Sequence, residues 1–129
     1  MKEQLVSFET AKLAKEKGFD WRVTHRYQGE DLISGALYNS NDKEEQALWN
    51  VELISVPSQS LLQKWLRDEH NIDVWAQPFV MNNNLPDESY SYFLFKDGSW
   101  IKDGVDYLDF EDALESGLYE ALKLINGTN

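Results

Sequence analysis

His25 and His70 are the only histidines in the sequence, so acid–base or imidazole–metal chemistry near neutral pH would have to start from them. Neither has a second histidine at H-x-H or H-x-x-x-H spacing, which removes the paired imidazoles of a helical or strand metal site. His25 alternates with Val23 and Tyr27 on a strand-like stretch. His70 closes a helical stretch, where a cation suits the dipole. Both read as structural residues. Cysteine is absent, which excludes disulfides, thiolate nucleophiles, Cys-based zinc sites and iron–sulfur clusters. The acidic stretch from Asp97 to Asp112 lacks the Asp-x-Asp-x-Asp-Gly register of a calcium loop, since Ser99 and Ile101 stand where ligands are needed. With 23 Asp and Glu, some carboxylate pair always falls at glycosidase distance, so pairing alone carries no specificity. Ser58, Ser60 and Ser116 lie in no nucleophile elbow, and neither G-x-G-x-x-G nor a P-loop occurs. No catalytic residue, cofactor or metal site is assigned.

What remains is charge and aromatic area. Twelve Lys and Arg oppose the 23 acids, giving a net charge of −11 over 129 residues. Residues 1–28 are slightly basic. The densest acidic run, Asp103, Asp106, Asp109, Glu111, Asp112, Glu115 and Glu120, contains no base. Such a surface repels phosphate backbones, so no direct nucleic-acid partner is expected. It attracts a basic protein partner, or serves simply as a solubilising face. Trp21 and Trp49, beside loops and charges, are the candidate interface aromatics. A second reading makes the chain a small-molecule-binding or catalytic domain with a pocket between sheet and helices, drawing on His25, Tyr27, Trp75 and Tyr92. A third makes it a self-assembling structural protein, and the oligomeric state is left open.

These residues need a scaffold, and the length and the 42% apolar content suit one domain over residues 1–129 with a real core. Helices are expected over Phe8–Lys17, capped by Ser7; over Ser58–Glu69, with the stripe Leu61, Leu62, Trp65 and Leu66; and over Phe110–Ile125, capped by Asp109. Gly117 inside the last stripe, at about 1 kcal/mol below Ala in propensity, implies a close approach to a neighbouring element. Strands are expected over Arg22–Gln28, Ile33–Tyr38, weakly over Ala47–Val56, then Asp73–Val80 and Ser89–Lys96. A return begins at Trp100 after the Asp97-Gly98 hairpin turn and ends at Asp103-Gly104. Asn39–Gln46 and Met81–Glu88 read as loops. The result is an α+β fold in the order α-β-β-(β)-α-β-β-β-α. It has three helices on one face of a mainly antiparallel sheet of three to five strands. No apolar run approaches the roughly 20 residues of a membrane span. Met1 to Ser7 is not a basic-then-apolar leader, so a cytoplasmic protein is expected.

Three segments taken together, Phe8–Phe19, Pro57–Ile72 and Asp109–Ile125, resemble in order and spacing a family of small acidic uncharacterised proteins of Bacteroidetes genomes and their phages and prophages. The resemblance spans nearly the whole chain and is most specific in the middle segment. It implies an intracellular, phage-related accessory protein and brings no catalytic residues with it.

Overall fold

A computed structural model describes residues 4–38, 41–79 and 89–125. Among the described residues the fold is α+β: two antiparallel three-stranded sheets and four helices. By their contacts these residues divide into two compact units, one reaching Leu61 and the other covering Leu62–Ile125.

The first unit opens with α1 (Phe8–Glu16). Ser7 caps it, its Oγ accepting the Thr10 amide at 3.2 Å, while Ala11 and Ala14 supply the thin buried stripe. Small side chains let the helix lie close to the strand it packs on, β3 (Leu53–Val56). The sheet order is β2 (Asp31–Tyr38), β1 (Val23–Gln28), β3. All four residues of β3 are buried. A strand covered on both faces loses the polar alternation that normally marks a strand, which is why Ala47–Val56 reads so weakly in sequence.

The expected loop at Asn39–Gln46 contains a fourth helix, α2 (Lys43–Ala47), correcting the expected count of three. Five residues with no apolar stripe carry no helical signature; tertiary hydrogen bonds hold them instead. Gln46 accepts the Leu53 amide (2.7 Å) and donates to the Val51 carbonyl (2.8 Å), and Asn41 Oδ1 accepts the Ser55 amide (3.0 Å). Lys15 Nζ donates to the Leu53 carbonyl at 2.7 Å. The outer edge of β3 is thus satisfied by side chains, which removes an open template for strand addition. The same segment covers Arg26, which is only 5% exposed. Its guanidinium donates to Gln28 Oε1 (2.9 and 2.7 Å) and pairs with Glu45 (3.3 Å).

The second unit contains most of α3 (Gln59–His70) and the meander β4 (Ile72–Phe79), β5 (Ser89–Lys96), β6 (Ser99–Tyr107), closed by α4 (Phe110–Lys123). Ser58 caps α3 by accepting the Leu61 amide at 3.1 Å, and Leu62, Trp65 and Leu66 are buried. Asn71, with φ of 54°, turns the chain out of α3 straight into β4. Asp97 and Gly98, with φ of 53° and 81°, make the tight β5–β6 turn that Asp-Gly favours. The return strand runs past the expected Asp103-Gly104 end to Tyr107. The Met81–Glu88 loop lies outside the described residues.

The expected single sheet is therefore two. Strand β3 pairs with β1, and β4 starts a new sheet after α3. Strand partners are chosen by long-range packing, which no local pattern records. Helix α4 covers β4, β5 and β6 with Leu114, Leu118, Ala121 and Leu122 fully or nearly fully buried. Each such leucine contributes about 1.5–3 kcal/mol of burial. A Cβ at Gly117 would lie 2.9 Å from Val74 Cγ1 and 3.0 Å from Tyr92 Cβ and Cγ, so only glycine lets the helix approach this closely.

Candidate functional site

The acidic run is divided among different surroundings. Asp109 caps α4, accepting the Asp112 amide at 2.8 Å, and Glu111 and Asp112 sit in the first turn, where the helix dipole favours negative charge. Asp103, Asp106, Asp109 and Asp112 are exposed and make no ion pair among the described residues. Around them Val105, Phe110 and above all Leu108 (86% exposed) present apolar side chains to solvent. Glu115 is half-buried. Glu120 is a structural residue: it accepts Lys102 Nζ at 3.0 Å and Lys123 Nζ at 3.1 Å. The Lys102 hydrogen bond pulls the Glu120 carboxyl below its ordinary range against the opposing effect of burial, and the same bond raises the Lys102 ammonium.

The other polarised surface is the sheet face turned away from α4. Lys102 reaches Glu120 on α4, so its neighbour Asp103 points the opposite way. Directly paired residues share a face. Asp73 pairs with Phe95 and Phe95 with Trp100, while Trp75 pairs with Phe93 and Phe93 with Asp103. Two adjacent rows result: Asp73–Phe95–Trp100 and Trp75–Phe93–Asp103. Trp75 stacks on Phe95 (centroids 4.9 Å apart, 14° between planes) and lies 5.9 Å from Phe93. Trp75 is 38% and Trp100 58% exposed. Trp100 and Asp103, three residues apart, share this face because the ladder slips between Leu94 and Phe95. The period-two spacing of Asp73 with Trp75 and of Phe93 with Phe95 is visible in sequence. The slip that adds Trp100 is not.

The remaining candidates are scattered. His25 Nδ1 lies 2.9 Å from Thr24 Oγ1, and the Tyr27 ring meets Phe8 edge-on at 5.0 Å. These two side chains share one side of β1, two residues apart. Trp75 and Tyr92 occupy opposite faces of the second sheet, Tyr92 pairing with Ala76 and Gly104, so they line no common pocket. Tyr92 is buried against Gly104, where an added Cβ would run into its ring. Burial raises its hydroxyl pKa, with Lys102 pulling the other way. His70 packs edge-on against Trp65 at 4.7 Å. Trp49 lies over the Arg26 guanidinium (4.9 Å to the ring centroid), and its Nε1–H donates to Glu45 at 3.3 Å. It thereby helps hold α2 down while remaining 40% exposed. Trp21 is half-buried.

Among the described residues no group of three His, Asp or Glu is placed to hold a metal ion, and no helix is long and apolar enough to cross a membrane. No protein-family model, curated protein or solved structure matches the chain.

Proposed function

We propose that the chain is a non-enzymatic binding protein whose partner is a basic protein surface, an accessory protein of the kind its three helical segments resemble, working in the cytoplasm. The observation that carries this reading is the approach to α4. There, three exposed carboxylates without ion pairs among the described residues, Asp106, Asp109 and Asp112, are interleaved with exposed Val105, Leu108 and Phe110. Carboxylates of one sign steer an oppositely charged partner from a distance, and the apolar side chains supply area that is desolvated on contact. Acids at a helix start also stabilise the helix. The dipole, however, gives no reason for Leu108 to face water.

The test is chemical cross-linking of the intact chain in host extract at low and high salt. It is repeated with the variant D106N/L108S/D112N, whose changes all fall on exposed side chains. The reading expects a cross-linked partner of basic composition, lost at about 0.5 M salt, where screening shortens to a few ångströms, and lost in the variant. Cross-links that ignore both salt and the variant refute it.

A further inference from the structure

We infer that the open face of the second sheet is an arginine-binding surface, taking a segment of the basic partner that carries two arginines. The inference rests on the preceding reading that the partner is basic, but on a different surface. Its two rows, Asp73–Phe95–Trp100 and Trp75–Phe93–Asp103, are related by a half-turn: each outer strand contributes one tryptophan and one carboxylate, in opposite order, around the central Phe93 and Phe95. From strand geometry the outer positions span roughly 10 Å across the sheet and 7 Å along it. Asp73 with Trp75, and Asp103 with Trp100, therefore form two like sites within reach of one short peptide.

The chemistry of each site selects a guanidinium. Its flat, weakly hydrated plane stacks on an indole while its edge donates two parallel hydrogen bonds to a carboxylate. A lysine ammonium is a compact, strongly hydrated charge that does not stack in this way. The face carries two carboxylates and no base at these six positions, so it repels the phosphates that an aromatic sheet would otherwise attract through stacked nucleobases. A neutral sugar matches the rings but gives no role to the charges. The aromatic side chains are also partly spent on each other: Trp75 stacks on Phe95 and is held in place before any ligand arrives, which lowers the ordering cost of binding.

The experiment is calorimetric titration of the intact chain with a short Gly/Ser peptide carrying two arginines, and with its lysine and citrulline counterparts. The arginine peptide is expected to bind roughly tenfold more tightly than the lysine peptide, as a desolvated cation–π contact allows, and the citrulline peptide not detectably. Trp100→Ala, at an exposed position, is expected to narrow the gap between the arginine and lysine affinities, leaving only the Trp75 site to discriminate. D73N/D103N keeps every ring, guards against a folding artefact, and is expected to weaken the arginine peptide to the level of citrulline. Equal affinity for arginine and lysine peptides, unchanged in Trp100→Ala, overturns the arginine site and leaves the basic-partner reading standing. Binding of neither peptide likewise overturns the arginine site, while the basic-partner reading rests on the other surface and is decided by the salt-sensitive cross-link.

Discussion

Replacing Gly117 by alanine sets two physical effects of opposite sign against each other. In an isolated helix the change stabilises by about 1 kcal/mol, because alanine is the better helix former. In this fold the new methyl group would stand 2.9 Å from Val74 Cγ1 and 3.0 Å from Tyr92 Cβ and Cγ, against the 3.5–4.0 Å at which carbon atoms attract. Neither neighbour can yield cheaply. Val74 is β-branched and stiff at χ1, and Tyr92 Cβ moves only with the β5 backbone. Overpacking of this kind costs about 1–3 kcal/mol. Taking about 2 and subtracting the propensity gain leaves a net destabilisation of about 1 kcal/mol, a fall of about 4 °C in Tm for a chain of this size. Urea unfolding followed by far-UV circular dichroism measures it directly. A double-mutant cycle with Val74→Ala isolates the mechanism: removing Cγ1 should recover part of the penalty, giving a coupling of about 0.5–1 kcal/mol. If Gly117→Ala raises the urea midpoint, as propensity alone demands, the close packing of α4 on β4 and β5 is refuted.

Gln46→Ala removes the acceptor for the Leu53 amide and the donor to the Val51 carbonyl, and is expected to lower stability by about 1–2 kcal/mol in urea unfolding. Gln46→Glu keeps the acceptor and should lose less, so equal losses would show that the Leu53 bond is not what matters. The Lys102–Glu120 pair predicts a pH dependence with two limbs. The folded Glu120 carboxyl lies below its ordinary 4.5, so its contribution is full above that value and fades as pH falls through the depressed folded value. The folded Lys102 lies above its ordinary 10.5, so its contribution holds below that value and fades as pH rises through the raised one. Glu120→Gln should flatten the acid limb in a series of urea midpoints from pH 3 to 7. An unchanged acid slope would count against the pair.

Much of the scaffold is legible in the sequence because the signals are local. Ser7 and Asp109 cap the helices they were expected to cap, Asp97-Gly98 makes its turn, and the α4 stripe with its glycine is buried from Leu114 onward as the spacing implies, though its first member, Phe110, faces solvent. What escapes is whatever depends on distant partners. Helix α2 exists through Gln46 and Glu45, whose bonds go to β3, Arg26 and Trp49. The split into two sheets follows from β3 choosing β1, and nothing in Leu53–Val56 names that partner. The charges of Arg26 and Glu120 look solvent-bound in a string of letters, yet each is held by contacts brought from elsewhere in the chain.

That redistribution decides which acids are free to act outside the molecule. Glu120 is the member of the acidic run most firmly engaged, bound by both lysines of its neighbourhood, so it stabilises the second unit and contributes little outward field. Asp109 is divided: one oxygen caps the helix, and the remaining charge faces water. Asp103 is turned by the strand pleat to the face opposite α4, into the company of Phe93 and away from the carboxylates that follow it in the helix. The single acidic stretch of the sequence thus becomes two surfaces, one apolar-flanked at the start of α4 and one aromatic on the open sheet. A partner engaging both would have to present basic groups to each. Neutralising Asp106 and Asp112 should then slow its association and make that rate less sensitive to salt, acting through the first surface alone. Removing Trp100 should instead act on dissociation, because stacking operates only after contact is made.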